Sequence, residues 1–375
     1  MLNFAELVAL DGDLQDTPAL TLYLDGRSDN PAWRTAWRRA LKQEETRLRH
    51  ELVDASHEER EAFARAVEAL EAHLAHRRGA LDAPGWLGVV ADGVVRLDAP
   101  LHGASPTFGH WGPGVALAPF LCVPGADHGA WVVIVDSRAA RIFCCDESGV
   151  HRVDTVRTIV HSEPNDAMGA SRGAKPHQGT RGGVGRDAAE RERREARSHM
   201  LRTLAEHLRL LVPVLPVFVG GTPQLVGEAV GAIEAAGVTS VVEAPALGAR
   251  ARVSEIARAV REGLLALRYA ADEVLVDDVV RRFAADDLGA TGAAATGRAL
   301  DDHAVKALVL SDTFVTTQPD VAEVFVRAAL AQHAAVTVVS GDAAQRLEGA
   351  GGAGVLLRFS PFRSLLVTDG ELAGV

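Results

Sequence analysis

The sequence contains little cysteine and no long apolar run. Three cysteines, two of them adjacent, provide neither a disulfide framework nor zinc-ligand spacing, so we expect reduced, half-buried strand residues at Cys122, Cys144 and Cys145. No run reaches the roughly 18 apolar residues of a membrane-spanning helix, and the best candidate, Leu211 to Val219, is short and contains two prolines. The first residues lack the basic region of a signal peptide. We therefore expect a soluble, cytoplasmic protein.

Lysine is also scarce, since it accounts for only 3 of the 39 basic residues. We attribute the arginine excess to the codon bias of a GC-rich gene and not to phosphate binding. The formal net charge of −11 excludes a wholly basic coat for nucleic acid. With 47% apolar and 24% charged residues, the composition is that of a globular protein, and 375 residues predict two or three domains.

Hydrophobic periodicity predicts three α/β domains, over residues 1–122, 127–246 and 252–375. In the first, a strand at Ala19 to Leu24 precedes two helices with apolar residues at three-to-four spacing, and Ser56 with Glu59 marks the start of the second helix. Two further strands, Trp86 to Val90 and Gly93 to Leu97, complete this domain. The Gly/Pro-rich stretch from His110 to Ala126 is expected to be a linker.

The second domain is predicted to open with three antiparallel strands, at 130–136, 140–145 and 150–156. The periodicity then stops over residues 162–186, and so long a loop in a compact domain is usually functional or disordered. We expect this loop to be mobile in the free protein. A long charged helix, a strand at 214–219, a helix at 223–236 and a strand at 239–243 follow.

The third domain alternates helices and strands, which predicts helices layered on a central sheet. We expect two helices on either side of residue 270, through Ile256 to Leu267 and Val274 to Phe283. The remaining predicted elements are strands at 305–310, 335–339 and 355–359 and helices at 320–332 and 343–347.

Several motifs that could indicate chemistry fail their structural requirements. Residues 349–354 read G-x-G-x-x-G, but a helix precedes and a strand follows, which reverses the dinucleotide-binding order. Residues 169–175 lack P-loop spacing, and no G-x-S-x-G elbow or H-E-x-x-H pair occurs. We interpret Asp136 as a strand-end cap and the paired acids Asp277-Asp278, Asp286-Asp287 and Asp301-Asp302 as a solvated face. We therefore expect neither metal nor cofactor.

The most informative segment is basic and glycine-rich. From Arg172 to Arg197 there are eight basic and four acidic residues, a net charge of +4. Glycines let the backbone approach a ligand closely, and arginine suits phosphate groups. In the helical part, Glu190/Arg194 and Arg191/Glu195 could equally be i,i+4 ion pairs of an exposed helix. The predicted RNA-binding residues are Arg172, Lys175, Gln178, Arg181, Gly182, Gly183, Arg186, Arg191 and Arg194.

The last hundred residues carry a family resemblance in four segments: Tyr269 to Glu273, Gly297 to Leu310, Val336 to Ser340 and Leu347 to Phe359. They resemble the bacterial relatives of archaeal and eukaryotic class I peptide-chain release factors, in which Gly-Gly precedes a Leu-Leu-Arg-Phe-like strand. The layout of the whole chain is similar, and Leu20 to Asp25 resembles the family's N-terminal strand. The resemblance implies a release-factor-like arrangement with an RNase H-like middle domain and a C-terminal α/β/α sandwich.

In release factors of this family, a Gly-Gly-Gln tip on the middle-domain loop enters the peptidyl-transferase centre, where the Gln orients the attacking water. Here the corresponding residues are Gly182, Gly183 and Val184, and valine cannot orient water. Relatives of the Balon type, which lack Gly-Gly-Gln, are ribosome hibernation factors that enter with elongation factor Tu. The resemblance thus implies a non-catalytic factor in the ribosomal A site, in hibernation or stress response.

We expect loop 162–186 to contact 23S rRNA of the 70S ribosome, and the chain to be a monomer. The segment Tyr269 to His303, with eight acids and three arginines, is expected to contact a ribosomal protein or a translation GTPase. Two alternatives stay open. One is a peptidyl-tRNA hydrolase or tRNA-cleaving rescue enzyme that uses Gln178, and the other is a stress-linked RNA-binding protein that never meets the ribosome.

Overall fold

A computed structural model describes residues 2–26, 35–75, 77, 81, 83–101, 103–123, 129–146, 149–158, 182–212 and 214–359, with only the backbone given for residues 182–189. The chain forms two compact units. Unit 1 combines Met1–Ala126 with Leu265–Val375, and unit 2 is Asp127–Leu264. Among the described residues, no helix is both long and apolar enough to span a bilayer.

The elements are given in chain order. The N-terminal part contains α1 Phe4–Leu14, β1 Pro18–Asp25, α2 Ala36–Glu51, α3 His57–Leu74, β2 Gly85–Ala91, β3 Val94–Leu101, β4 Phe108–Pro113 and α4 Ala118–Leu121. The middle contains β5 Ala130–Val135, β6 Ala139–Asp146, β7 Gly149–Arg157, α5 Gly182–Leu210, β8 Val217–Gly221, α6 Pro223–Ala235, β9 Val241–Glu243 and α7 Val253–Ala284. The C-terminal part contains β10 Gly289–Thr291, α8 Ala293–Asp301, β11 Val305–Ser311, α9 Asp312–Thr317, α10 Pro319–Ala331, β12 Ala335–Val339, α11 Gly341–Glu348 and β13 Ala353–Leu357.

The N-terminal sheet has the antiparallel order β3-β2-β1-β4. Its central strand β1 is buried on both faces, because alternate residues of a strand point to opposite sides. Leu20, Leu22 and Leu24 pack with residues of α2 and α3, whereas Tyr23 belongs to a core on the other face. Helix α3 begins as predicted, since the Ser56 hydroxyl accepts the backbone N–H of Glu59 at 3.1 Å.

The linker predicted from His110 to Ala126 is wrong for the residues that the structure describes there. Strand β4 runs to Pro113, and Val115, Leu117 and Phe120 are buried in the core. The glycines and prolines of this segment predict a loop. Its apolar residues are nevertheless buried, because they contact distant parts of the chain.

The C-terminal sheet has the order β10-β13-β11-β12, with β11 and β12 parallel and the other pairs antiparallel. Leu308 and Leu310 of β11 share a core with α8 and α10, while Val309 packs with α7 and α11. Helices therefore cover both faces of this sheet, in the layered arrangement that alternating helices and strands predict.

The N-terminal and C-terminal parts of unit 1 share one hydrophobic core. This core joins Leu7, Leu117 and Phe120 to Leu308 and Phe325, which are all almost completely buried. Burial of apolar surface on this scale is the main favourable contribution to folding. Residues 2–123 and 265–359 therefore stabilise each other directly, although unit 2 separates them in the sequence.

Unit 2 has a five-stranded sheet of order β7-β6-β5-β8-β9. Strands β5, β6 and β7 are antiparallel neighbours, which confirms the prediction, and β8 and β9 are parallel to β5 and to each other. Helices α5 and α6 cover one face through Met200, Leu204 and Ile233. On the other face, α7 lies so close that a Cβ at Gly263 would overlap the ring of Phe218.

Helix α7 corrects the prediction of two helices, since it is continuous from Val253 to Ala284. The predicted break fell between Leu267 and Val274, where the apolar spacing lapses. Apart from Tyr269, the intervening residues are charged residues and alanines. Arginine, alanine and glutamate favour a helix, so the helix continues without an apolar face there.

All three cysteines are free, and the prediction of a half-buried strand residue is confirmed for Cys144 on β6. It is wrong in part for the other two, because Cys145 on the same strand is fully buried and the half-buried Cys122 follows α4 and not a strand.

Candidate nucleic-acid interface

Charge is distributed unevenly between the two units. Unit 2 has 18 Lys and Arg residues against 17 Asp and Glu, whereas unit 1 has 21 against 33. The net negative charge of the chain therefore resides in unit 1. Unit 2 is nearly neutral as a whole, so local clusters of arginine there can attract a polyanion.

Helix α5 extends beyond the core that it helps to build. Its buried residues begin at Met200 and continue with Leu201, Leu204 and Leu208, whereas no residue from 190 to 199 is buried. At 1.5 Å per residue, the first 18 residues of the helix span about 27 Å. This segment, residues 182–199, is the α5 arm, and its side chains from residue 190 to residue 199 are all exposed or half-buried.

The α5 arm carries exposed arginines with only weak internal pairing. Arg191 is exposed, and Arg194 is 76% exposed and lies 3.9 Å from Glu190. The predicted i,i+4 pair between these two residues is therefore confirmed. Arg197 lies 3.4 Å from Glu228 on α6. Exposed pairs of this kind contribute little to stability, so the guanidinium groups remain accessible to phosphate.

The remaining predicted RNA-binding residues lie at or beyond the start of α5. Arg172, Lys175, Gln178 and Arg181 lie outside the described residues. Gly182 and Gly183 occupy the first turn of the helix, and Arg186 follows on it. The predicted end of the loop at residue 186 is therefore wrong, because the helix begins at Gly182. The glycines of residues 182–185 have a low helix propensity and therefore favoured a loop. The helix that Asp187 to Glu190 favours nevertheless extends through these glycines.

The acidic candidates form ion pairs and turns. The Asp136 carboxylate accepts the N–H groups of Arg138 and Ala139 at 2.8 and 3.0 Å, so it caps the β5–β6 turn as predicted. Asp277 pairs with Arg346 at 2.6 Å. Over the ranges that the structure describes, no group of three or more His, Cys, Asp or Glu residues is arranged to hold a metal ion.

A small polar pocket lies at the carboxyl ends of β11 and β12. It is lined by Arg268, Asp312 and Ser340, with Cys122 beside them. Burial, reinforced by the charge of Asp312, raises the pKa of the Cys122 thiol to about 12. This thiol is therefore protonated at neutral pH and is not an activated nucleophile.

Three arginines on one face of the unit 2 sheet were missed in the sequence. Arg141 lies on β6, and Arg152 and Arg157 lie on β7, where both are exposed. Side chains alternate between the two faces along a strand, and this alternation could have indicated which residues of β7 share a face. A register shift between Ile142 and Phe143 in the β6–β7 pairing interrupts the period of two, so the sequence alone does not show it.

No protein-family model and no curated protein matches the chain. Among solved structures, it is similar to Pelota of Archaeoglobus fulgidus, with 15% identity and a TM-score of 0.36 over 62% of this chain and 65% of that chain. It is also similar to Dom34 of S. cerevisiae, with 10% identity and a TM-score of 0.39 over 62% and 64%. Dom34 is described as a translation termination-like factor that interacts with Hbs1.

An archaeal translation termination factor, aRF1, is similar over 96% of this chain and 99% of that chain, with 17% identity and a TM-score of 0.27. The matches to Pelota and Dom34 each span slightly less than two thirds of those chains. A functional proposal for this chain therefore depends on its own residues.

Proposed function

We propose that the chain is a non-catalytic, release-factor-like protein that binds the ribosomal A site, in ribosome hibernation or stress response. The α5 arm carries this proposal, because it presents the exposed arginines Arg191, Arg193 and Arg194 outside the core of unit 2. The basic residues Arg172, Lys175 and Arg181 precede it directly in the sequence. Together they form a continuous basic segment of the kind that binds rRNA phosphates.

The position of Val184 supports binding without hydrolysis. In the release-factor resemblance it stands where a Gln orients the attacking water, and it follows Gly182 and Gly183 in the first turn of α5. An apolar side chain offers no hydrogen bond to water. The order and direction of strands β7-β6-β5-β8-β9 support the proposal that unit 2 is RNase H-like.

The acidic surface of unit 1 supports a second contact, to a ribosomal protein or a translation GTPase such as elongation factor Tu. Glu273 and Asp277 are exposed on α7 and share a single arginine, Arg346, at 4.0 and 2.6 Å. Their excess negative charge favours a basic partner by electrostatic steering.

The test of ribosome binding is co-sedimentation with 70S ribosomes at physiological salt. The wild-type chain is expected to pellet with ribosomes, and changing Arg172, Lys175, Arg181 and Arg186 to Ala is expected to abolish pelleting. The matched control changes four exposed arginines of unit 1 to Ala: Arg39, Arg60, Arg65 and Arg96. Because counterion release depends on the phosphates contacted, the control should bind like the wild type.

Two results would contradict the proposal. Failure of the wild-type chain to pellet overturns ribosome binding, and equal loss in both quadruple variants overturns the role of the basic segment. Peptidyl-tRNA release from stalled ribosomes, measured in parallel, is expected to be absent. Release that disappears on Gln178→Ala would show a hydrolytic enzyme instead.

A further inference from the structure

Arg141, Arg152 and Arg157 form a cationic surface on the sheet of unit 2, here called the arginine face. In the β6–β7 pairing, Arg152 lies opposite Phe143 and Arg157 lies opposite Ala139. Directly opposed residues of an antiparallel pair project from the same side, and Ala139, Arg141 and Phe143 alternate along β6. The three guanidinium groups therefore emerge from one face.

The opposite face of the same hairpin carries the neighbouring carboxylate. Asp154 lies opposite Ile142, whose side chain packs in the core with α5. The Asp154 carboxylate contacts His207 of α5 at 2.9 Å. The sheet therefore separates this acid from the arginine face.

Few of the residues that the structure describes neutralise the arginine face. Among the residues that the structure describes, neither Arg152 nor Arg157 has a carboxylate within ion-pair distance, and both are exposed. Arg141 donates through Nη2 to the backbone oxygen of Ala249, yet its buried Nε has no acceptor among these residues. The bond to Ala249 fixes the position of Arg141, so the accessible positive charge of this face comes mainly from Arg152 and Arg157.

Further arginines lie next to this face along the chain. Ala249, which accepts the hydrogen bond from Arg141, is followed by the exposed Arg250 and Arg252. Glu255 accepts the backbone N–H of Arg252 at 2.7 Å. The cationic surface therefore extends from the sheet to the start of α7.

We propose that the arginine face binds the phosphate backbone of RNA, as a contact separate from the α5 arm. Diagonal neighbours on paired strands lie about 7–8 Å apart, so the guanidinium groups repel each other until a polyanion bridges them. Arginine forks bind phosphate in a bidentate manner. An acidic protein is the less suitable occupant, because protein interfaces have an apolar centre and Thr155 is the residue opposite Arg141.

The test measures binding of the full chain to a fluorescent 24-nucleotide RNA hairpin over a series of salt concentrations. The variant Arg152→Gln/Arg157→Gln is expected to bind about tenfold or more weakly at low salt, and its salt dependence should be shallower by about 1.5 in slope. Arg141 is retained, since its bond to Ala249 is structural. The matched control is Arg39→Gln/Arg96→Gln, which removes two exposed arginines of unit 1.

The outcomes separate the arginine face from the proposed function. Equal binding by the double variant and the control overturns the arginine face, as does tighter binding of a poly-glutamate peptide than of the RNA. Loss of 70S binding with intact binding of the hairpin overturns only the ribosomal role. A third experiment adds Arg152→Gln/Arg157→Gln to the quadruple variant at residues 172, 175, 181 and 186. This combined variant should bind the hairpin more weakly than the quadruple variant does. Equal binding by the two would show that the arginine face makes no contact of its own.

Discussion

At the scale of single residues, Asp98 is the acid with the densest set of donors in the N-terminal part of unit 1. Its carboxylate receives the indole N–H of Trp86 at 2.6 Å and both oxygens contact Arg77 Nη2 at 2.8 and 2.7 Å. His73 lies 2.6 Å away. Burial raises the pKa of this carboxyl, but hydrogen bonds from His73 and Trp86 and the charge of Arg77 outweigh burial and lower it.

The Asp98 cluster predicts a defined pH dependence of stability. A carboxyl whose pKa is lower in the folded state stabilises the fold above its unfolded pKa of about 3.9 and loses that contribution as pH falls through the folded value. Asp98→Asn is expected to lower the free energy of unfolding by about 1–3 kcal/mol at pH 7. The difference in the free energy of unfolding between Asp98→Asn and the wild type should become smaller below about pH 4. Urea unfolding over a range of pH values measures this difference.

Asp92→Asn is the matched control for Asp98→Asn. Asp92 is 66% exposed and lies 3.5 Å from Arg96, and its positive φ of 54° is a conformation that Asn also adopts readily. This control should change stability by less than about 0.5 kcal/mol. An equal effect of the two substitutions, or a difference that persists unchanged at pH 3, would show that charge at Asp98 is not what stabilises the cluster.

At the scale of elements, α7 depends on a glycine where it crosses the sheet of unit 2. Phe218 is 1% exposed on β8, and a Cβ at Gly263 would overlap its ring. The contact of this helix with the sheet is therefore close because position 263 has no side chain. Nothing in the local pattern of residues 253–284 reveals this requirement, since Phe218 lies on a different element.

Gly263→Ala is expected to destabilise unit 2 by about 1–3 kcal/mol, because overpacking a full core forces side chains or backbone to move. The matched control is Gly227→Ala on α6, where a Cβ would meet nothing within 4 Å. Alanine is the better helix former, so the control should stabilise by about 0.5–1 kcal/mol. Thermal and urea unfolding measure both changes, and a stabilising Gly263→Ala would contradict the close contact.

Helices and strands were largely predictable at this scale. The strand at Val305 to Leu310 and the helix that begins at Pro223 match their predictions within one residue, because alternation and three-to-four spacing are local signals. Besides the linker predicted from His110 to Ala126, two errors concern helices: one lies at Gly182, where a loop was predicted, and the other in α7, where an apolar face is interrupted. In both cases the continuous helix of the folded chain overrides a weak local preference.

At the scale of the whole molecule, a buried charge cluster joins the two halves of unit 1. Glu323 of α10 accepts the backbone N–H groups of Leu117 and Ala118 at 2.8 and 2.9 Å. Arg327, one turn later, pairs with Glu323 at 2.9 Å and with Asp11 of α1 at 2.8 Å. Burial raises the pKa of Glu323, against the opposing effects of these N–H groups and Arg327.

Glu323→Ala is expected to lower the free energy of unfolding by about 3 kcal/mol. It leaves the N–H groups of Leu117 and Ala118 without their acceptor in a buried site and removes one of the two carboxylates that pair with Arg327. Glu61→Ala, at an exposed ion pair on α3, is the control and should cost less than about 1 kcal/mol. Equilibrium urea unfolding measures both. Equal stability of Glu323→Ala and the control would show that this cluster does not join the halves of unit 1.

The sequence by itself determined the local elements, the separation of basic and acidic segments, and the absence of a recognised catalytic motif. These features depend on residues that are neighbours in the sequence, so their periodicity and charge can be read from the sequence directly. Only the tertiary structure placed residues 115–123 in a core with α10, because burial depends on contacts between residues about 200 positions apart. It also assembled the arginine face, because the β6–β7 register and its shift decide which side chains share a face.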